Sequence, residues 1–471
     1  MPPTRPDTPP NVLILGGTTT VARALAPYLL DPKDPKAAFV RLADRFSISP
    51  PSTYIDKPFL SLLPESIGAD SKLEYKQVNL GNVEKHAELF KLPKEWNGRE
   101  LYGDEVEKGF DVVFDLTGDT SFDKPELIQI SHTYQVSLSL SNSAAALSPA
   151  LKPKAYVRLT FPFYEMKNLP SSSPGHKEDA DLKPDGVRGV WWHEVLRGLG
   201  RLAKKEANGE LGGLKVGVVR CGAWYGRGTW DGEVVPRVVA GHVYQYLKEE
   251  MKFLYNSDLR INTVHSSDIA QALYLLALYL LQTPYATILP SSPSIPFAFA
   301  PPSSGNSIFS SNSKRSSLSE TWKTVSTIVP KEESVRLPLF NVVDEVDSTQ
   351  GSLAKVVAET WGIKFGFLSS TVATLVQQFA KTDFSEMVED VNEMHVQAWS
   401  DMLSKSNPPI PSCPITPYLD EHAFRKRSIC LDGSLAKTTL GFKPAYPAVD
   451  VGEIKKIVKE FQDDNLWPKL E

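Results

Sequence analysis

The first thirty residues combine a continuous apolar run with a helical pattern of apolar positions. Val12–Leu15 is a short run of apolar side chains, typical of a parallel strand buried on both faces. Gly16 and Gly17 break the run, and apolar or aromatic side chains then recur at helical spacing, at Val21, Leu25, Tyr28 and Leu29. A strand, a tight glycine turn and a helix in this order predict the first unit of a dinucleotide-binding α/β domain, because the helix N-terminus presents unpaired N–H groups to a pyrophosphate.

The glycine turn departs from the spacing that such domains favour. Glycines three residues apart would fall at positions 16, 19 and 22, but the chain has Gly16, Thr19 and Ala22. Alanine suits the third position, which only lets helix and strand approach, whereas a β-branched threonine stands where a phosphate would come close. A plain strand–turn–helix without a ligand is the alternative. The predicted cofactor contacts in this segment are Gly16, Gly17, Thr18, Thr19, Thr20 and Val21.

The second predicted strand ends in an acidic residue. Phe39–Ala43 is an apolar run interrupted only by Arg41, and Asp44 follows it. Asp44 lies 22 residues beyond Ala22, close to the spacing of about 20 residues at which such domains place a carboxylate that binds the adenosine ribose. A solvated loop carboxylate is the alternative. Arg45 comes next, so both NAD and the 2′-phosphate of NADP remain open as ligands of this position.

Apolar runs and helical patterns alternate along the rest of the chain, which favours an α/β fold with a doubly wound parallel sheet. Further strands are predicted at 73–78, 110–116, 155–160 and 215–219. The predicted domain occupies 11–282 after a proline-rich tail at 1–10. A Ser/Pro-rich insert at 283–330 follows, and its composition predicts disorder. A C-terminal lobe is predicted at 331–471, with a strand at 336–343 that returns to the sheet.

Composition narrows the class of protein further. The net charge of −5 gives no basic footprint for nucleic acid or an anionic membrane. Three widely spaced cysteines predict no disulfide framework, and eight scattered histidines predict no metal site. The most apolar segment, Ile269–Leu281, is too short to span a bilayer, and the proline-rich N-terminus lacks the apolar core of a signal peptide. We therefore expect a cytoplasmic protein without a membrane or nucleic-acid partner.

Six segments in order resemble consecutive signatures of one superfamily. They are FVRLADRFS, FDVVFDLTG, AYVRLTFPFYE, VGVVRCGAWYGRG, INTVHSSDIAQAL and LFNVVDEVDS. They resemble the extended short-chain dehydrogenase/reductase superfamily, in its NAD-dependent epimerase/dehydratase-like group. The resemblance implies a Rossmann-type domain that binds NAD or NADP, and a smaller C-terminal lobe that binds the substrate. It also implies cofactor contacts at Leu116, Thr117, Gly118 and Tyr225, the last beside the nicotinamide end; a packing aromatic is the alternative for Tyr225.

The catalytic pair of the superfamily is absent from its expected helix. The chemistry uses a Ser or Thr, for which Thr160 is in place, and a Tyr followed four residues later by a Lys. The resemblance puts Gly186 at the Tyr place and Val190 at the Lys place, so the chain looks like an atypical member. Tyr164, Tyr225 and His193 are the candidate substitutes for the acid/base. A packed core histidine is the alternative for His193.

Three functions follow from these observations. The first is an NAD(P)-binding oxidoreductase or epimerase that acts on a small hydroxyl or carbonyl substrate, with a homodimer as its expected assembly. The second is a catalytically inactive, nucleotide-binding regulatory or scaffold protein on the same fold. The third is the same fold retained without a nucleotide, because Thr19 obstructs the phosphate turn.

Overall fold

The computed structural model describes residues 2–63, 71–103, 106–299, 321–369 and 385–470. The strands of its central sheet are β1 (Asn11–Leu15), β2 (Phe39–Asp44), β3 (Leu73–Gln77), β4 (Val112–Asp115), β5 (Ala155–Thr160), β6 (Val216–Cys221) and β7 (Leu339–Val342). Within the described residues, these seven strands pair in parallel in the order β7-β6-β5-β4-β1-β2-β3. The predicted doubly wound parallel sheet is confirmed.

The position of β1 explains why its run is apolar on both faces. Val12 is paired with Val40 of β2 on one side and with Val112 of β4 on the other, so β1 is an interior strand. Val12–Leu15 is at most 1% exposed. The order in which strands are added reverses between β1 and β4. Such a switch point opens a crevice at the carboxyl ends of the strands, where ligands of open α/β sheets bind.

Some of the longer helices pack around this sheet, and the others form a second, smaller lobe. The described chain contains eight longer helices. They are α1 (Thr20–Leu29), α2 (Val136–Ala146), α3 (Gly186–Ala207), α4 (Val235–Leu247), α5 (Ser266–Gln282), α6 (Gln350–Trp361), α7 (Ser385–Lys405) and α8 (Val451–Asp463). Helix α1 packs on α5 and helix α2 packs on α3, as two layers around the sheet require.

Shorter elements complete the description. Single turns of helix lie at Lys57–Leu60, Val83–Lys85, His86–Leu89, Glu126–Gln129, Tyr285–Ile288, Leu289–Ser291 and Glu421–Phe424, and π-helical turns lie at Ile130–Gln135 and Ala436–Leu440. Two-stranded pairs join Glu95–Trp96 to Arg99–Glu100, Tyr164–Glu165 to Lys183–Pro184, Ala223–Tyr225 to Thr263–His265, and Met251–Phe253 to Phe365–Phe367. No single described helix has the length and apolarity of a membrane span; only α5 and Tyr285–Ser291, bent by 111°, meet that criterion jointly.

A second hydrophobic core defines a smaller lobe. It draws on α4, α6, α7 and α8, and therefore on residues before and after the predicted insert. At its centre His242 stacks on Trp361 with ring centroids 4.0 Å apart and accepts a hydrogen bond from Trp467 Nε1 at 2.9 Å. Burial lowers the pKa of His242 to about 3, so its ring stays neutral and can accept that bond.

The predicted disorder of 283–330 is wrong for the flanks of that segment. Tyr285 and Ile295 are buried in the main core, and Tyr285 Oη donates to the carbonyl of Val216 at 2.7 Å. The buried Arg197 of α3 donates to the carbonyls of Ile295 at 2.9 Å and Pro330 at 2.7 Å. The few apolar residues in a Ser/Pro-rich background are enough to anchor both flanks. Residues 300–320, which carry the rest of that prediction, lie outside the described residues.

Candidate functional site

The glycine turn between β1 and α1 is confined by two neighbouring strands. Gly16 has φ of +78°, and a Cβ there would lie 3.0 Å from the carbonyl oxygen of Leu116. A Cβ on Gly17 would lie 2.9 Å from Cβ of Leu42. Both glycines donate their N–H groups to the carbonyl of Ala43 at 3.0 Å. Only glycine suits these two positions, because the turn passes between the ends of β2 and β4.

Thr19 is the N-cap of α1, and its side chain is folded onto the turn. Its hydroxyl donates to the carbonyl of Gly16 at 2.8 Å and accepts the N–H of Ala22 at 3.4 Å. The N–H groups of the first helical residues, Thr20 and Val21, have no acceptor within the helix. Unpaired N–H groups together with the helix dipole form the arrangement that binds phosphate groups.

Asp44 faces the glycine turn and is 6% exposed. Its Oδ2 accepts the N–H of Thr18 at 3.0 Å and the hydroxyl of Thr18 at 2.6 Å, while its Oδ1 accepts the N–H of Arg45 at 2.7 Å. The carboxylate is therefore bonded to the protein's own turn, and a ribose hydroxyl could only share its remaining lone pairs. The Arg45 side chain is exposed beside it, over the ring of Phe46 at 5.0 Å.

A cavity of about 320 Å³ lies at the carboxyl end of β3, next to this segment. The side chain of Gln77 connects the two, because its Nε2 donates to the carbonyl of Arg45 at 3.2 Å. The lining is mostly apolar in area and consists of Lys76, Gln77, Val78, Asn79, Asn82, Lys85 and Glu88. The apolar pattern that predicts β3 gave no sign of this cavity.

Arg23 joins the first turn of α1 to the smaller lobe. It is 6% exposed, and its Nη1 lies 3.0 Å from Oδ2 of Asp56. Its Nη2 donates to Thr20 Oγ1 at 3.2 Å and to the carbonyl of Gly228 at 3.1 Å. Nε of Arg227 lies 3.5 Å from the other oxygen of Asp56. The loop after β6 is thus tied across the N-terminus of α1, a contact between distant segments that sequence reasoning missed.

A buried carboxylate organises the end of β4. Asp115 is fully buried and lies 2.7 Å from Nη1 of Arg158, which is also fully buried. The same carboxylate accepts hydrogen bonds from the N–H and hydroxyl of Thr117 and from the hydroxyls of Ser137 and Tyr156, at 2.6–3.0 Å. The Thr117 hydroxyl is therefore used within the protein. These bonds hold the Leu116–Gly118 segment, which was predicted to contact the cofactor, in a single conformation.

Four aromatic rings cover the carboxyl ends of β4, β5 and β6, and we call them the aromatic cluster: Phe161, Phe163, Trp192 and Trp224. Their ring centroids lie 4.5–6.5 Å apart, from Phe161–Trp224 to Phe163–Trp224. All four side chains are at most 8% exposed. A Cβ on Gly118 would lie 2.5 Å from the Trp192 ring, and Trp192 Nε1 donates to the carbonyl of Asp119 at 3.0 Å. Trp192 therefore lies directly on the loop that follows β4.

Tyr164 and His193 are in contact, as candidates for one proton-transfer site should be. Tyr164 Oη lies 3.2 Å from His193 Nδ1, and His193 Nε2 lies 2.6 Å from the carbonyl oxygen of Pro296. Burial lowers the pKa of His193 to about 4 and raises the pKa of Tyr164. The carbonyl can only accept, so Nε2 carries the proton of the neutral ring and Nδ1 accepts from the Tyr164 hydroxyl.

Two other predicted residues, Thr160 and Tyr225, are buried. Thr160 is the last residue of β5 and is 1% exposed. Tyr225 is fully buried, with its ring 5.1 Å from that of His265, and burial raises its pKa. Among the described residues, no group of three or more His, Cys, Asp or Glu side chains is placed to hold a metal ion.

No protein-family model and no curated protein matches the sequence. Solved structures do match the fold. UDP-glucose 4-epimerase from Thermotoga maritima, solved with UDP-glucose, is 13% identical with a TM-score of 0.52, over 96% of this chain and 99% of its own. The dTDP-glucose 4,6-dehydratase DesIV from Streptomyces venezuelae, solved with NAD, is 12% identical with a TM-score of 0.55, over 97% and 98%. WbmG from Bordetella bronchiseptica, solved with NAD, is 10% identical with a TM-score of 0.53, over 98% and 96%.

The chain shares the fold of these three structures. The fold implied by the six sequence segments is thereby confirmed.

The first turn of α3 contains the two places to which the sequence resemblance assigns the catalytic Tyr and Lys. Gly186 opens the helix with φ of +63°, and Val190 is 7% exposed, so neither place holds a group that can transfer a proton. Gly189, between them, packs so closely that a Cβ would lie 2.4 Å from the carbonyl oxygen of Phe163. His193 lies one turn of α3 after Val190. Its ring contacts Tyr164, which follows the end of β5.

Proposed function

We propose that this protein binds NAD or NADP and acts as an oxidoreductase or epimerase of the epimerase/dehydratase type, on a small molecule with a hydroxyl or carbonyl group. The observation that carries the proposal is the glycine turn at the switch point of the sheet. Gly16 and Gly17 leave room for no Cβ, and α1 begins directly after them. The similar structures named above, solved with NAD or UDP-glucose, support the same class of ligand.

The residues present fit the phosphate-bearing part of such a cofactor. The N–H groups of Thr20 and Val21 would hold the pyrophosphate, and Asp44 would hold the turn in shape through Thr18. The cofactor supplies hydride transfer when it is bound. Thr160 is the proposed anchor of the substrate oxygen. In the direction of substrate oxidation, Tyr164 Oη would accept the proton of the substrate hydroxyl as its own proton passes to His193 Nδ1.

Calorimetric titration of the full chain with NAD⁺, NADH, NADP⁺ and NADPH tests the binding step. We expect one oxidised/reduced pair to bind with a micromolar Kd. Gly17→Ala should weaken that binding at least tenfold, because the new Cβ meets Leu42. Gly103→Ala is the matched control, since a Cβ there meets nothing within 4 Å. Failure of all four nucleotides to bind, or unchanged binding by Gly17→Ala, would overturn the proposal.

The second candidate is a nucleotide-responsive regulatory or scaffold protein without turnover, which rests on Gly186 and Val190 at the places of the catalytic pair in α3. Assays with a panel of UDP- and dTDP-sugars distinguish the two candidates. An enzyme that uses Tyr164 should lose about 10²-fold in kcat in Tyr164→Phe while it keeps its nucleotide affinity. A Tyr244→Phe variant, altered in the smaller lobe, is the control. Nucleotide binding without turnover of any substrate would favour the regulatory candidate.

We also propose a cytoplasmic homodimer. The mildly acidic net charge of −5 and three unbonded cysteines are compatible with a reducing compartment. Light scattering coupled to size exclusion measures the assembly directly, and a mass of 52.1 kDa would exclude the dimer.

A further inference from the structure

The switch point divides the carboxyl edge of the sheet into two halves. A dinucleotide spans such a point, with its adenosine ribose at the end of the second strand, where an acidic residue follows the glycine turn by about 20 residues. In this chain that residue is Asp44, so the adenosine half falls on the side of β1, β2 and β3. The other mononucleotide half then falls on the side of β4, β5 and β6.

The adenosine side has room for a ligand. The Arg45 side chain is exposed, Thr20 is partly exposed at the start of α1, and the cavity of about 320 Å³ lies at the end of the neighbouring β3. The lining of that cavity is mostly apolar in area, with the side chains of Lys76, Asn79 and Asn82 among its residues. A purine would meet apolar surface here, with amide and ammonium groups beside it, without displacement of packed side chains.

The nicotinamide side is filled by the protein itself. Trp192 lies against Gly118 at the end of β4, and Phe161 lies between Trp192 and Trp224, with ring centroids 5.3 Å and 4.5 Å away. Trp192 is 2% exposed and Trp224 is 7% exposed. A nicotinamide ring entering this space would have to separate packed rings, so its own contacts would be offset by the packing that is lost.

We propose that the protein recognises its dinucleotide through the ADP-ribose half, so that ADP-ribose, which lacks the nicotinamide ring, binds about as tightly as NAD⁺. The proposal rests on the proposed dinucleotide binding at the glycine turn. The class of ligand that it names is the adenosine-diphosphate ribosides, whatever group their distal ribose carries.

Calorimetric titration of the full chain with ADP-ribose, NAD⁺ and nicotinamide mononucleotide tests the proposal. We expect the Kd values of ADP-ribose and NAD⁺ to agree within about threefold, and no binding of the mononucleotide at millimolar concentration. An NAD⁺ affinity more than tenfold above that of ADP-ribose, or binding of the mononucleotide, would overturn the inference and leave the proposed function standing. Absence of binding by both NAD⁺ and ADP-ribose would overturn the proposed function and this inference together.

A variant that opens the aromatic cluster gives an independent readout. Trp192→Leu removes the ring that lies on Gly118, so the affinity ratio of NAD⁺ to ADP-ribose should rise at least fivefold. Phe161→Leu is the second variant if Trp192→Leu does not fold. Trp96→Leu is the matched control, because Trp96 packs on Phe39 in a distant hairpin and should leave the ratio unchanged. A constant ratio in both cluster variants would contradict the assignment of the cluster to the nicotinamide side.

Discussion

The two halves of the carboxyl edge use their residues in opposite ways. On the side of β1 to β3, the chain keeps a glycine turn, a helix N-terminus at which the N–H groups of Thr20 and Val21 have no acceptor within the helix, and a cavity of about 320 Å³. On the side of β4 to β6, Asp115 is enclosed by donors and the aromatic cluster covers the strand ends. One sheet therefore combines a half arranged for a phosphate-bearing ligand with a half packed as a hydrophobic core.

The difference shows that the backbone geometry of a nucleotide-binding fold and the side chains needed for proton transfer can vary independently within one molecule. The phosphate turn depends on backbone geometry, which Gly16 and Gly17 preserve even with Thr19 in place of a glycine. Proton transfer would depend on a few side chains, and the two α3 places that the sequence resemblance assigns to a Tyr and a Lys hold Gly186 and Val190.

The largest effect is expected at the buried carboxylate of the β4 side. Asp115→Ala should lower the free energy of unfolding by about 3–5 kcal/mol, because it leaves the fully buried Arg158 without its counter-charge. Urea denaturation measures the change. Lys154→Ala is the control, since this 71% exposed lysine forms a surface pair with Asp111 and its loss should cost less than about 1 kcal/mol. A cost below about 1 kcal/mol for Asp115→Ala would show that the β4 side is not the rigid half.

His193 should make stability depend on pH in a defined window. Burial holds its folded pKa at about 4, below the ordinary value of 6.5, so only the unfolded chain takes up a proton between those values. This single group should remove up to about 3 kcal/mol of stability as the pH falls from 6.5 to 4.

Urea melts at several pH values measure this dependence. His193→Gln should flatten the slope in that window, whereas the exposed His132→Gln should leave it unchanged. A histidine that stays accessible to protons in the folded state would instead give the same slope in the wild type and in His193→Gln.

A substitution at Gly118 tests how closely Trp192 of the aromatic cluster packs on the loop after β4. Gly118→Ala should cost about 1–3 kcal/mol, because its Cβ would meet the Trp192 ring and its φ is +124°. Trp192→Leu should relieve the collision, so the double variant should be about 1 kcal/mol more stable than the two single costs predict. Strict additivity would mean that ring and glycine do not touch. Gly103→Ala again serves as the neutral control.

The smallest effect is expected on the adenosine side, between Thr18 and Asp44. A double-mutant cycle with Thr18→Val and Asp44→Asn should give a coupling of about 1–2 kcal/mol, since the hydroxyl donates to the carboxylate at 2.6 Å. Arg45→Ala should leave stability unchanged because its side chain is exposed. A coupling energy near zero would mean that the Thr18 hydroxyl does not bind the Asp44 carboxylate. Asp44 would then be available for the direct ribose contact that the sequence predicts.

The sheet and its glycine turn could be predicted because they depend on local patterns of apolar and polar residues. The apolar runs at β1, β2 and β5 and the helical spacing in α1 were enough to place the parallel sheet and its glycine turn. The segment resemblance added β7. These features depend on periodicity and on runs of one chemical type, which a single sequence displays.

The departures from prediction involve contacts between distant segments. Nothing in the sequence around Asp44 shows that Thr18, 26 positions earlier, takes up its carboxylate. The rings of the aromatic cluster come from the segments after β5 and β6 and from α3, so no single stretch of sequence predicts the cluster. Tyr285 and Ile295 anchor a segment whose average composition predicts disorder. In each case tertiary packing decides the role of a residue that local composition leaves open.

Hydrogen–deuterium exchange with and without saturating NAD⁺ tests the contrast between the two halves most directly. The account predicts slower exchange in Gly16–Arg23 and at Asp44–Phe46, where the phosphates and the adenosine would lie. We expect unchanged exchange in Thr117–Ser121, on which Trp192 of the aromatic cluster packs. Protection of Thr117–Ser121, or no protection at the glycine turn, would contradict this contrast.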